Sequence, residues 1–328
     1  MKILSPMATG NGAYILHKNI EQKIKGYSVL PFNPYRTLFP PLLLPLGRFK
    51  QVEIIHTTPD YGIFHWRNKI PLILTFHGFV LDEFIQRYSS LLQAIHYKTD
   101  LRWFTHLAIS RAFQLTAVSQ FTADLAKKEL SFDGKIKVIY NGIDQHVFYP
   151  KKTKNNRKIQ ILFAGNLTQK KGVHWLLPII NRLNSNIEIL YTNSSKKLNY
   201  LNHPRIRPLG RIAYQKMVDV YQQVDILLFP TVREGFGLVV AEAMACSLPV
   251  VASDCSSLPE LIDHGKGGFL CPVGDVAAFA EKINLLADNA FLRNEMGEYN
   301  RVKVESKFTL DRMICEYKVL FEKTLDER

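Results

Sequence analysis

The sequence predicts an α/β protein built from two parallel-sheet domains. Three observations carry that expectation. Short apolar runs of strand length alternate with stretches of helical periodicity, the pattern of βαβ units. The alternation halts at a basic polar stretch, "KKTKNNRK" from Lys151 to Lys158, and then starts again. A chain of 328 residues, 47% hydrophobic, is long enough to fill two cores rather than one.

Taken in order, the first set of strands comprises "KILSP" at the start, "VEIIHT" from Val52, "IPLILTF" from Ile70, "QLTAVS" from Gln114 and "IKVIYNG" from Ile136. The second set comprises "IQILFAGN", "IEILYT", "VDILLFP" and "LPVVAS". Such near-continuous apolar runs are what strands covered on both faces require. The final helix, "LDRMICEYKVLFEKTLDE", carries Met313, Ile314, Tyr317, Leu320 and Phe321 at helical spacing, so it must dock on something. The expected division is a first domain over 1–150 and a second over 151–309. The helix at about 310–328 is open between ordinary packing on the second domain and a return to the first.

Lysine and arginine number 42 against 29 acids, a net charge of +13. Residues 1–150 hold 17 basic and 10 acidic residues and the remainder 25 and 19, so the excess (+7 and +6) is spread over both halves. That balance favours anionic partners, a nucleotide, an anionic lipid surface or nucleic acid, and does not choose among them. The four cysteines form no Cys-x-x-Cys pair and no metal spacing, the usage of a reduced cytosolic protein. The N-terminal "MKILSPMATGNG" lacks the apolar stretch of a signal peptide, and no run approaches the roughly 20 apolar residues that span a bilayer. A cytoplasmic protein is expected, with a peripheral place on the membrane open to it.

The stretch "REGFGLVVAEAMACSLPVVAS" from Arg233 reads as strand end, glycine loop, helix, turn and strand. In open parallel sheets, ligands bind beyond the carboxyl ends of the strands. Gly235 and Gly237 permit unusual backbone angles, and the helix that starts near Gly237 or Leu238 offers amides and a positive dipole end to phosphate. Glu234 and Glu242 would repel that phosphate but can accept hydroxyls on either side of it. The pair therefore suits an extended ligand of hydroxyls, diphosphate and more hydroxyls: a nucleotide sugar. The plainer alternative makes Glu234 a helix cap and Glu242 an exposed helix residue.

The longer segment "PTVREGFGLVVAEAMACSLPVVASDCSSLPELIDHGKGGFLCPVGD" resembles the donor-binding segment of the family-four retaining glycosyltransferases of the GT-B fold. The likeness extends to "ILFAGNLTQKKG" with Lys171 and Gly172, to "YNGIDQHVFYP", to "LGRIAYQKMVDVYQQVDILLFP" and, more weakly, to "TAVSQFTADLAK" and "TFHG". It spans most of residues 70–325; residues 1–70, where acceptor choice usually resides, match poorly. The resemblance implies two Rossmann-like domains facing a cleft, with the C-terminal helix crossing back to the first. It implies transfer of a hexosyl group from a UDP- or GDP-hexose to a hydroxyl of a glycan or lipid-linked acceptor, with retention of configuration and no cofactor.

The residue roles implied are these. His77, Lys171 and Glu234 are the catalytic candidates, His77 lying near the reacting sugar carbon. A lone histidine is more often structural, but this one stands at a strand end. Donor binding is assigned to Gly12, Asn166, Lys171, Arg211, Ile212, Glu234, Gly235, Phe236, Gly237, Leu238, Val239 and Glu242, the last on the ribose. Gly12 belongs to "TGNG", which a plain turn would explain equally well. Asn166 stands where the family usually has an arginine, so a charge is missing that Lys170 or Arg211 would have to supply. No Asp-x-Asp occurs, so lysine and helix amides are expected to stabilise the leaving diphosphate without metal. Nucleic acid is not among the expected partners. "YKTDLRWFTHLAISRAF" reads either as an interfacial helix for anionic lipid or as a half-buried helix with a solvated face. A nucleotide-sugar-binding protein without turnover is the alternative to an enzyme.

Overall fold

The computed structural model of the chain describes residues 1–48, 50–82, 84, 88, 90–151, 158–192 and 201–327. The chain divides into two compact units, Met1–Gly142 with Asp311–Arg328, and Ile143–Leu310. Of the basic stretch that marks the expected boundary, residues 152–157 lie outside the described residues. The first unit ends at Gly142 rather than near residue 150. Ile143 to Tyr149 belong to the second unit because their side chains and carbonyls are used there. Phe148 is buried against Tyr214 and Tyr221, and Arg301 Nη1 donates to the Phe148 carbonyl at 2.7 Å. Gln222 Nε2 donates to that of Tyr149 at 2.8 Å.

The first unit holds six parallel strands: β1 (Ile3–Ala8), β2 (Tyr27–Phe32), β3 (Ile54–Thr57), β4 (Leu72–Phe76), β5 (Gln114–Ala117) and β6 (Ile136–Val138), in the spatial order β2-β1-β3-β4-β5-β6. Around them lie α1 (Gly12–Lys23), α2 (Leu91–Lys98), α3 (Asp100–Arg111) and α4 (Gln120–Leu130). The chain leaves β1 toward β2 and then turns back to β3, so the order reverses between β1 and β3.

The second unit repeats the plan with β7 (Ile159–Phe163), β8 (Ile187–Thr192), β9 (Ile206–Gly210), β10 (Ile226–Phe229), β11 (Val250–Ser253) and β12 (Gly268–Cys271), ordered β12-β11-β10-β7-β8-β9 and again all parallel. Here the reversal falls between β7 and β10. Its helices are α5 (Leu176–Ile180), α6 (Met217–Tyr221), α7 (Leu238–Ala245), α8 (Leu258–Leu261), α9 (Val276–Asp288) and α10 (Ala290–Lys307). Both faces of this sheet are covered by buried side chains, Ile161, Phe163, Ile189, Ile226 and Leu228 on one and Leu162, Leu227 and Val250 on the other, which is why its central strands read as continuous apolar runs.

The last helix, α11 (Leu310–Asp326), returns to the first unit. Its five apolar positions Met313, Ile314, Tyr317, Leu320 and Phe321 are all buried. Tyr317 and Phe321 lie 5.2 and 5.4 Å from the His56 ring, and Phe321 lies 5.9 Å from that of Tyr27. Arg312 Nη2 donates to the Tyr140 carbonyl at 2.9 Å.

Candidate active site

In each sheet the ends of strands at the order reversal are where a ligand finds room. In the second unit those ends are the loops after β7 and β10, and they are bound tightly together. Val232 N–H and the Thr231 hydroxyl donate to the Lys170 carbonyl at 3.0 and 3.1 Å. Gly172 sits at φ +79°, and a Cβ there would stand 2.0 Å from the Pro230 carbonyl oxygen. Only glycine allows the β7 loop to press against the end of β10. The consequence is an ion pair across the reversal: Lys171 Nζ donates to Glu234 Oε1. The ammonium also lies 5.4 Å from the Phe229 ring centre, and the Thr231 hydroxyl oxygen lies 3.2 Å from the same carboxylate oxygen.

Glu234 does not cap the helix behind it. Gly237, at φ +97°, is the N-cap residue of α7 and no side chain caps the helix from that position. The end of α7 that begins with Leu238 and Val239 therefore carries its positive dipole end close in sequence to the ion pair. The loop that leads into it is tied to the turn after β11: Glu234 N–H donates to Ser256 Oγ at 2.9 Å, and Ser257 Oγ donates to the Phe236 carbonyl at 3.0 Å.

Glu242 lies one turn into α7 and is buried, not exposed. The Tyr221 hydroxyl donates to its Oε2 at 2.8 Å, and Tyr214 also hydrogen-bonds it. Burial outweighs those two bonds and pushes the carboxyl up to about 7. Desolvation and the neighbouring carboxylate push both tyrosines up in turn.

Asn166 is exposed in the loop after β7, and its carbonyl accepts from Thr168 N–H at 2.9 Å. Arg211 is exposed and Ile212 half-buried just past β9, the edge strand, with β8 between β9 and β7. The second unit thus brings Lys171, Glu234 and the Gly235–Val239 turn together. It sets Glu242 behind them with two tyrosines, and leaves Arg211 on the rim of the sheet.

The first unit holds Gly12 and His77. Gly12 opens α1 just after β1, capped by Asn11, whose side chain accepts from Tyr14 N–H at 2.8 Å. His77 follows β4, half-buried, with its Nε2 2.9 Å from His17 Nε2 on α1. Burial holds the His77 imidazole down to about 3, so it is neutral. Among the described residues no cluster of three or more His, Cys, Asp or Glu forms a metal cage, and no helix is long and apolar enough to cross a membrane.

The sequence profile described as Glycosyltransferase Family 4 matches residues 3–147, and that described as Glycosyl transferases group 1 matches residues 158–289. The chain belongs to glycosyltransferase family 4. This glycosyltransferase is 28% identical over 262 residues to an uncharacterised glycosyltransferase of Methanocaldococcus jannaschii, a match covering 78% of the chain and 70% of the relative. It is 24% identical to the capsular polysaccharide biosynthesis glycosyltransferase CapM of Staphylococcus aureus, over 98% of the chain and 95% of that protein. With the N-acetyl-alpha-D-glucosaminyl L-malate synthase of Bacillus anthracis the identity is 22%, over 92% and 82%. Among solved structures, the sucrose-phosphate synthase of Thermosynechococcus elongatus superposes with a TM-score of 0.84 at 17% identity, with complete coverage of both chains. Anabaena HepE in complex with UDP and glucose gives 0.81 at 19%, over 98% of this chain and 99% of that one. These likenesses establish the GT-B fold of the glycosyltransferase.

Several residues around the site were not singled out in the sequence. Tyr214, Tyr221, Thr231, Ser256 and Ser257 lie within segments that carry the resemblance, but nothing in their local pattern assigns them a contact. Only the fold reveals that they converge on the two glutamates.

Proposed function

We propose that this glycosyltransferase moves a hexosyl group from a UDP- or GDP-hexose to a hydroxyl of a glycan or lipid-linked acceptor, with retention and without metal. The observation that carries the reading is the Lys171–Glu234 pair across the β7–β10 reversal, close in sequence to an α7 terminus whose N-cap residue is the glycine Gly237. Lys171 has three N–H donors and gives one to Glu234, so it can hold phosphate and carboxylate at once. Glu234 is then placed for a sugar hydroxyl and the Gly235–Val239 turn for the diphosphate. Glu242 shares its carboxylate between the ribose and the tyrosines. His77 steadies the sugar near its reacting carbon. In the transfer itself the bond from sugar carbon to phosphate oxygen breaks, and the acceptor oxygen bonds the carbon on the same face. The acceptor proton passes to the leaving diphosphate. The protein contributes position and charge.

Anionic membrane is proposed as the surface on which a lipid-linked acceptor is met. In the first unit α3 buries Leu101, Thr105 and Ala108 and leaves Trp103 out, while Leu38 and Leu91 are 81% and 78% exposed. Arg36 and Lys98 flank them in sequence, which suits a wet, negatively charged boundary.

Thermal shift with a panel of UDP- and GDP-hexoses identifies the donor, and proton NMR of the transfer product reads its anomeric configuration. At least one donor is expected to stabilise the protein, turnover to persist in EDTA, and the product to keep the donor's configuration. Stabilisation without transfer or hydrolysis would favour a binding protein, the reading to which the uncharged Asn166 lends weight. Loss of turnover in EDTA, restored by magnesium or manganese, would remove the metal-free account. Sedimentation with phosphatidylglycerol but not phosphatidylcholine vesicles is the expected membrane result.

A further inference from the structure

A chain of hydrogen bonds runs through the core of the first unit and ends on His77. Thr116 Oγ1 donates to the Leu74 carbonyl at 3.4 Å and lies 2.6 Å from Thr75 Oγ1. Thr75 Oγ1 is 2.7 Å from His56 Nε2, and His56 Nδ1 is 2.7 Å from the Tyr27 hydroxyl. That hydroxyl and Ser5 Oγ each lie 2.7 Å from His17 Nδ1, and His17 Nε2 is 2.9 Å from His77 Nε2. Ser5, His17, His56, Thr75 and Thr116 are all fully buried.

Burial keeps all three imidazoles neutral: His56 and His77 are held down to about 3, and His17 well below its ordinary value. A neutral imidazole has one N–H and one bare nitrogen, so each bond in the chain dictates the next. The Leu74 carbonyl can only accept, and with the Thr116 proton directed to it Thr75 donates to Thr116; the Tyr317 hydroxyl also approaches both threonines. Thr75 then accepts from His56 Nε2–H, which leaves His56 Nδ1 bare to accept from Tyr27. The Tyr27 oxygen accepts from His17 Nδ1–H, which Ser5 shares as a second acceptor. His17 Nε2 is therefore bare, and His77 Nε2 carries the proton between the two rings.

We propose that His17 is a positioning residue, which with the chain behind it fixes His77 in the Nε2–H tautomer and leaves its Nδ1 as the acceptor for a ligand hydroxyl. The ligand half of this statement rests on the proposed role of His77 at the sugar; the tautomer half does not. His77 Nδ1 makes no hydrogen bond to any described residue, so it is the nitrogen left for such a hydroxyl.

Long-range proton–nitrogen NMR on 15N-histidine-labelled protein without ligand tests it, with the His77 signals assigned by their loss in His77→Asn. The expected spectrum shows His77 protonated on Nε2 and His17 on Nδ1. Tyr27→Phe and Thr116→Val, both close in shape, break the chain at its middle and its far end. Tyr27→Phe is expected to give mixed tautomers at His17 and His77. Thr116→Val should free the polarity of the chain and give a smaller shift in the same direction. In transfer assays Tyr27→Phe is expected to lower kcat by up to roughly 10-fold, the worth of one neutral hydrogen bond, with KM for the donor unchanged. His77 protonated on Nδ1 in the unmodified protein, or tautomers unmoved by Tyr27→Phe, would overturn the proposal. Expected tautomers together with undiminished transfer by His77→Asn would leave the relay standing and remove His77 from the proposed reaction.

Discussion

Glu242 and the three hydrogen-bonded histidines answer pH in opposite directions. Glu242 is raised from 4.5 to about 7, so between those values the folded chain keeps a proton the unfolded chain has lost. Its burial therefore costs stability as pH rises from 4.5 through 7. His56 and His77 are lowered from 6.5 to about 3, so the unfolded chain binds protons first. Their contribution is complete above pH 6.5 and is lost as pH falls toward 3. Glu242→Gln is expected to remove the alkaline loss, raising stability by roughly 3 kcal/mol above pH 7, where a shift of one unit is worth about 1.4 kcal/mol. Urea unfolding of both proteins at pH 5 and pH 8 checks this, and equal stability at pH 8 would contradict it. The same residue is expected to cost function. Glu242→Ala should weaken binding of the free nucleoside diphosphate by about 1.5–3 kcal/mol, while Glu234→Ala leaves that affinity close to unchanged and slows transfer. Calorimetry separates the two, and equal affinities would remove the ribose assignment.

At the scale of elements, the join between the loops after β7 and β10 decides where Lys171 stands. Gly172→Ala places a methyl against the Pro230 carbonyl and forces a side-chain residue to φ +79°. The expected result is a loss of about 1–3 kcal/mol, together with weaker donor binding as Lys171 moves away from Glu234; a thermal melt and a donor titration measure both. The sequence made this join legible, because a lysine before glycine after one strand and an acid before a Gly-Phe-Gly loop after another are local patterns. The apolar runs of central strands and the one-faced pattern of α11 were legible for the same reason. The edge strands β2 and β9 were not. Each contains a proline, Pro31 and Pro208, and each has partly or fully exposed positions along it, so neither reads as a continuous apolar run. The Glu242 tyrosines and the histidine chain were equally hidden. They are assembled from residues far apart in sequence, and each residue alone looks like ordinary core. Lys171 was expected to meet phosphate and is found on Glu234, which local pattern cannot foresee.

At the scale of the whole molecule, the chain passes from one unit to the other twice, after Gly142 and again after Leu310. Removing residues 310–328 is expected to raise hydrogen exchange in β1, β3 and β4 far more than in β7, β8 and β10, since α11 covers the His56 and Tyr27 rings. Exchange confined to residues 151–305 would place the helix with the second unit instead. The double passage also sets an order of events at the ribosome. The strands of the first unit are made before the second unit, yet they lack one wall until α11 is added. At roughly 5–20 residues per second, translation of the second unit and α11 leaves the nascent first sheet open for some tens of seconds. The segment synthesised second can close before the segment synthesised first. A cell that makes this chain therefore holds, for that interval, a second unit able to close beside a first unit that cannot, and any chaperone that serves it is needed at the first unit.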